Sequence, residues 1–539
     1  MKKILILSCL LFAVSAVAQT LKWGSTDVRY AVDEQPKELT NTIVLNAWKG
    51  ELVNAQAVMT SAKSIDKVSF KVSDLKNGKS IIPSQQIVCS IVRSVITDAF
   101  GSRKDSVMVA DRLENSATAT VRAGQTLAVW LAIQVPADAT PGTYKGRLEV
   151  DVPGVSSLPI TINVCKRTLP SPSEWAFHLD LWQNPYAVAR YFKVPLWSQE
   201  HFDRMRPLMT MLAKAGQKVI TCSIIQHPWN SQTYDPFESM IGKMKQIDGS
   251  WKYDYTVFDR WVRFMMDCGI KQQIDCYTLV PWQYEFDYYD CATNSIKKIL
   301  CKPEQKEYRD FALPFLRDFA AHLKSMGWFD ITCIAMDERP RAQMEAALAI
   351  LREADPDYKI EGAANYNVDS ALGDLIHDLS VGYTYNLLTP KVLERRHAKG
   401  QKITFYTCCG PERPNTFTFS SPAESAFLGW HAMACGYNGY LRWAYNSWPA
   451  NPCTDSRFGT WAGGDTYLVY PEGSSIRFQR LIEGIQAYEK IRLLRPELDE
   501  KQRQQLDEML KRFSGNKYDV DATSLLREAN KLINKLSNK

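Results

Sequence analysis

Two hydrophobic periods divide the chain. From Trp23 to Arg167, alternating or β-branched runs recur at TIVLNAWKG, VSFKVSDL, IVCSIVRSVIT, TLAVWLAIQVP, YKGRLEV and LPITINV, with Gly, Pro and Asp turns between them. Short strands repeated without a helical period predict an antiparallel β-sandwich, and LPSPSE at 169–174 reads as a linker through its prolines. The pattern then changes to apolar runs separated by amphipathic stretches. The runs are AFHLDLWQ, KVITCSIIQ, QQIDCYTLV, ITCIAMDE, YKIEGAAN, DLSVGYTYN, KITFYTCC and GYLRWAYNSW; the stretches include HFDRMRPLMTMLAKAG, FDRWVRFMMDCG, YRDFALPFLRDFAAHLKSMG and AQMEAALAILREAD. Eight such alternations predict a (β/α)8 barrel whose active site lies at the carboxyl ends of its strands. Beyond 475, Phe478, Leu481, Ile482 and Ile485, then Leu506, Met509 and Leu510, then Leu525, Leu532 and Leu536 fall at helix spacing. The expected fold is multidomain β plus α/β: a β-sandwich over 19–170, a TIM barrel over 171–492 and a short C-terminal helical tail over 493–539.

Ahead of these, MKKILILSCLLFAVSAVAQT combines two lysines, a short apolar run and a small-x-small site at Ala16-Val17-Ala18. It reads as a signal peptide over 1–18, placing the mature chain in the periplasm, at the cell surface or outside the cell; lipidation at Cys9 is the minority reading. The 539-residue chain exceeds what one core usually serves. With 65 Lys and Arg against 59 Asp and Glu, its net charge of +6 calls for neither nucleic acid nor an anionic membrane. No later run is long and apolar enough for a transmembrane segment. The thirteen cysteines show no zinc spacing. Cys222, Cys276, Cys333 and Cys408 lie in strand-like runs, while Cys291 and Cys301 flank a polar loop and are placed to pair. No metal or cofactor is expected.

The candidate chemistry lies in ITCIAMDERP, residues 331–340, where an apolar strand runs into two adjacent carboxylates, Asp337 and Glu338. Neighbours on a regular strand face opposite ways, so for both to meet one ligand the strand must end or distort here. A lone pair of this kind is more often a helix-capping Asp and an Arg-paired Glu; its company raises it above that. The strand ends carry His178, Asp180, His227, Trp229, Trp282, Tyr385, Asn386, Trp443, Tyr445 and Trp448, aromatic faces interleaved with polar groups that suit a sugar.

The DE pair, with GYLRWAYNSW at 439–448, GGDTYLVYP at 463–471 and RFQRLIEGIQAYEKI at 477–491, resembles glycoside hydrolase family 123, a family of β-N-acetylgalactosaminidases. Adjacent acids fit poorly with the separations used by ordinary retaining or inverting enzymes. They fit substrate assistance, in which the sugar's 2-acetamido oxygen attacks the anomeric carbon. Glu338 is then the general acid/base and Asp337 the group that orients and stabilises the acetamido. The resemblance implies these same roles, with retention of configuration. By position, Tyr385 is the candidate donor to the acetamido carbonyl, and Trp443 or Trp448 the floor beneath the sugar. The expected partner is a β-GalNAc glycan or glycolipid. Alternatives are a β-N-acetylglucosaminidase with the same mechanism and a non-catalytic secreted glycan-binding protein; oligomeric state is not legible.

Overall fold

The computed structural model describes residues 19–364, 371–383, 389–515 and 521–538. Two β-sheets face each other at the amino-terminal end, over a core that includes Trp23, Phe70, Leu131, Tyr144 and Ile162. The pairing is antiparallel with one exception: Leu158–Thr168 runs parallel to Ile43–Lys49. The strands Leu52–Thr60 and Ser102–Glu114 were not anticipated. The second opens on SRKDSVM, too charged to show an apolar alternation. The edge beside it is completed from far along the chain, where Gly473–Ser475 pairs antiparallel with residues 112–114.

Eight parallel strands follow: His178–Leu181, Val219–Ser223, Gln273–Tyr277, Thr332–Met336, Lys359–Ala364, Asp378–Gly382, Lys402–Tyr406 and Gly439–Arg442. Each falls inside one of the eight apolar runs, and helices connect them as a (β/α)8 barrel requires. Between the first and second strands the ladder thins to one bridge, Leu179 with Gln217, and one bond, Lys218 N–H to Leu179 O at 3.0 Å. Side-chain amides bridge the rest. Gln217 accepts from Leu181 N–H at 3.0 Å and donates to Val219 O at 2.8 Å, while Gln183 accepts from Thr221 N–H at 2.9 Å. Buried backbone groups need partners, and these two glutamines supply them.

A four-stranded sheet of Gly242–Lys245, Trp251–Asp254, Glu285–Asp290 and Ser295–Leu300 is inserted in the loops after the second and third strands. It packs on the helix Lys306–Met326, with Trp251 edge-on to Phe311 at 5.6 Å. Cys291 and Cys301, at its margin, remain separate thiols, half-buried and buried. Helices Pro422–Cys435 and Ile476–Leu494 cross so closely that a methyl group on Gly429 would come within 2.0 Å of Gly484 O. Helices Glu500–Lys511 and Ala522–Ser537 close the chain, the latter meeting the first domain where Trp48 Nε1 donates to Ser537 Oγ at 2.9 Å.

The barrel interior is polar at its amino-terminal end. His178 pairs with Asp378 at 2.7 Å, and Gln273 donates to Asp378 at 2.8 Å and to Asp275 at 2.9 Å. Asp180, Asp275 and Glu361 each bring one oxygen within 4.8 Å of the others. Burial, then the charge of Asp378, pushes Asp180 up to about 8; burial and the neighbouring acids raise Asp275 and Glu361 well above the carboxylate range. Their protonated forms suit the native state, so the stability they contribute is full below the ordinary carboxylate range and is lost as pH rises through the native values. The thermal midpoint should therefore fall between pH 5 and pH 8, and Asp180→Asn, which cannot ionise, should flatten that slope in a pH series of melting curves.

Candidate active site

The fourth strand ends at Met336, and the backbone bends at Glu338 before the helix Arg341–Ala354 starts. That break keeps Asp337 and Glu338 together at the barrel mouth, each half-buried. Different strand ends hold them. Asp337 Oδ2 accepts from Trp282 Nε1 at 2.8 Å, in the loop after the third strand, and its Oδ1 from the Glu338 amide at 2.8 Å. Glu338 Oε1 accepts from the Tyr406 hydroxyl, on the last residue of the seventh strand. Burial raises the Asp337 carboxyl above its ordinary value, opposed by the Trp282 donor, the Glu338 amide and the positive charge of Arg339. Burial and the Glu338 carboxylate together raise the Tyr406 hydroxyl, so it stays a donor.

Beneath the acids lies an aromatic layer. Trp182 stacks on Trp229 with ring centres 5.2 Å apart, both press on Tyr277, and Tyr406, Ala335 and Ala363 belong to the same cluster, with Trp443 against it. The Trp229 indole N–H is buried without a partner. Trp443 follows the eighth strand, half-buried, and its Nε1 donates to Asp465 Oδ1 at 3.1 Å. That carboxylate also takes Arg442 at 2.8 Å, both side chains fully buried. His227 sits in the turn after the second strand in the left-handed region, φ 48°. Cys408 and Cys409 lie past the seventh strand rather than in it, sulfurs 3.6 Å apart; the Cys408 contact lowers the Cys409 thiol to about 7.

Several expected rim residues are elsewhere. His178 opens its strand at the closed end of the barrel, where its partner is Asp378. Asp180 lies one inward position deeper than Trp182, whose Nε1 reaches it at 3.2 Å, so an indole caps it from the mouth. Tyr445 is fully buried with its hydroxyl on Leu208 O at 2.9 Å, and Trp448 is fully buried with its indole on Val469 O at 2.7 Å. The chain turns away from the mouth after Trp443, so both of these pack outward against helices and loop, and Trp448 does not floor the site. Tyr385 and Asn386 lie outside the described residues. Tyr406 was missed, although Lys402, Thr404 and Tyr406 share one alternation phase and the last inward position of a barrel strand borders the mouth.

Two carboxyls at one strand end, held by different donors above an aromatic floor at the carboxyl face of a parallel barrel, define the framework of a glycosidase. The model of the glycoside hydrolase 123 catalytic domain matches residues 182–494, and that of the glycoside hydrolase 123 N-terminal domain matches residues 23–152. The chain belongs to glycoside hydrolase family 123. It aligns with a family 123 glycoside hydrolase from Clostridium perfringens, studied for glycolipid glycan hydrolysis, at TM-score 0.87 and 27% identity, over 97% of this chain and 98% of that one. A candidate glycoside hydrolase from Bacteroides vulgatus aligns at TM-score 0.33 and 9% identity over 84% and 79% of the two chains, a likeness too weak to inform fold or function. No curated protein matches the chain.

Trp282→Phe removes a donor that favours the Asp337 carboxylate, so the Asp337 pKa must rise further. If the reaction needs that carboxylate ionised, the acidic limb of kcat/KM moves to higher pH; a pH–rate profile of the variant against the wild type reads the shift.

Proposed function

We propose that the protein is an exported, retaining β-N-acetylgalactosaminidase that cleaves terminal β-GalNAc from glycans or glycolipids with the substrate's own acetamido group as nucleophile. The observation that carries this reading is the adjacency of Asp337 and Glu338, each at the mouth and each with its own donor. Two neighbouring carboxyls cannot straddle a glycosidic bond as an acid and a nucleophile do. They can serve one face of one sugar. Glu338 protonates the leaving oxygen and later takes a proton from water. Asp337 accepts the acetamido N–H and stabilises the positive charge that develops as the carbonyl oxygen closes on the anomeric carbon.

The donors fit that division of labour. Asp337 already receives two N–H groups, which favour its ionised form, whereas Glu338 meets a hydroxyl that can follow its change of protonation state. The aromatic floor of Trp182, Trp229 and Tyr277 offers apolar faces, and Trp443 flanks it. Hydrolysis of glycolipid glycans by the Clostridium perfringens relative supports a glycolipid as one substrate class. The amino-terminal leader supports export, and no described helix is long and apolar enough to cross a membrane.

Nitrophenyl glycosides of GalNAc, GlcNAc and galactose test the reading together. Turnover of the first above the second assigns the epimer; the reverse order favours a β-N-acetylglucosaminidase, and turnover of none favours a glycan-binding protein. Equal rates on galactosides and 2-acetamido glycosides would exclude substrate assistance. Glu338→Gln should lower kcat on natural glycosides by ~10²- to 10⁴-fold, and Asp337→Asn by ~10²- to 10³-fold on 2-acetamido substrates.

A further inference from the structure

Arg339, the residue after the acid pair, has a use that neither carboxyl explains. Its side chain is only 7% exposed. The guanidinium carbon lies 4.7 Å from the ring centre of Trp282 and 4.8 Å from that of Tyr284, an aromatic clamp on the cation. Trp282 is the residue whose indole edge holds Asp337, so the face of one ring carries the cation while its edge reaches the candidate catalytic carboxyl. Tyr284 is fixed in turn: its backbone is left-handed, φ 56°, and its hydroxyl donates to Gln343 Oε1 at 2.8 Å on the following helix. The clamp is rigid on both sides.

What the guanidinium lacks is an acceptor. Among the described residues none takes a hydrogen bond or forms an ion pair with it, and its Nε is buried without a partner. Other buried guanidiniums here have acceptors, although Arg442 Nε and Arg477 Nη2 are themselves unmet. Arg442 bonds Asp465, Asn415 and Thr407, and Arg477 bonds Asp111 with three carbonyls. Leaving a buried donor unmet is costly, and more so when it is charged. Asp337 offsets part of the charge through space, but its oxygens accept from Trp282 and the Glu338 amide and from no nitrogen of Arg339. A planar five-donor fork stacked on rings is the geometry that receives an oxyanion in two parallel bonds.

We infer that Arg339, clamped between Trp282 and Tyr284, forms a subsite for an oxyanion on the glycan, a carboxylate or a sulfate ester, beside the bond to be cut. The inference rests on the glycosidase reading for its place in the reaction and names the substrate class as acidic. The sugar bearing the anion lies beside the acid pair, so its charge governs which glycans are cleaved without taking part in bond breaking. Lysine at 339 would keep the charge and lose the fork; glutamine would lose both.

Three probes test this: an oligosaccharide with terminal β-GalNAc whose leaving-group sugar carries a carboxylate-bearing sugar, the same oligosaccharide carrying a sulfate ester instead, and the neutral parent. The wild type should prefer an acidic probe over the neutral one by about tenfold or more in kcat/KM, as a charge-assisted bidentate contact provides. The preference should shrink with added salt, fall to near one in Arg339→Gln and stay intermediate in Arg339→Lys. Whichever acidic arm responds names the anion. An acidic-to-neutral ratio equal in the wild type and Arg339→Gln overturns the inference, as does a shifted pH profile with an unchanged ratio, which would mean that Arg339 acts only through Asp337. Calorimetric binding of the acidic leaving-group fragment, lacking the amino sugar, separates the two readings. Binding by the wild type and not by folded Arg339→Gln upholds the subsite even if no GalNAc glycoside is turned over. No difference in binding sinks it even if the glycosides are cleaved.

Discussion

Two side-chain donors from two different strand ends decide what this barrel can do. Consecutive residues on a regular strand face opposite ways, and here a strand terminus, a bend and two unlike hydrogen bonds keep both at the barrel mouth. Trp282 presents an N–H that favours a charged Asp337; Tyr406 presents a hydroxyl whose proton Glu338 can share in either state. Without these donors the two carboxyls would compete for the same polarity. With them they differ, as the proposed division into a stabiliser and a proton carrier requires.

Holding the donors in register is the work of the rest of the fold. The long loop after the eighth strand runs between the two domains and is pinned from both sides. Asp111, in the first domain, bonds Arg477, Arg29 and the hydroxyl of Tyr470, with its carboxylate fully buried. Burial opposes its ionisation and the two guanidiniums more than reverse that, so its pKa is lowered. From the same domain, the strand Ile87–Ala99 bridges to Asp455 through Ile96, and Asp98 accepts from the Gly463 amide at 2.6 Å. These contacts bring Asp465 under Trp443 and Arg442. A buried pair of that kind adds little net stability by itself; its value lies in admitting only one loop position.

The barrel was legible in the sequence because each of its strands is covered on both faces and therefore reads as an apolar run bounded by amphipathic helix. The acid pair was legible because Asp337 and Glu338 interrupt such a run. The rim was only partly legible. His178 and Asp180 sit in strand one at the same alternation phase as Trp182, and phase alone does not say how deep in the barrel a residue lies; both fell into the charged interior. Tyr445 and Trp448 follow a strand end, but the chain had already turned outward. Trp282 was found by position, while Tyr406, the donor to Glu338, lay in a run read as a barrel strand and for its cysteines. Arg339 drew no reading of its own, since nothing local announces that two rings from a separate loop will enclose it. The inserted small sheet escaped notice because GKMK, WKYD and SIKKIL are mostly polar.

The three-residue strand Gly473–Ser475 makes the two domains one hereditary unit. A ribosome that has released only the first domain has made a sheet whose outermost edge awaits hydrogen bonds from a segment some 300 residues still to come, and a buried aspartate still missing one of its two cations. Exposed strand edges invite pairing with other chains. The amino-terminal sandwich is therefore a poor candidate for excision or grafting onto another enzyme, and its partnership with this barrel is written into the backbone itself.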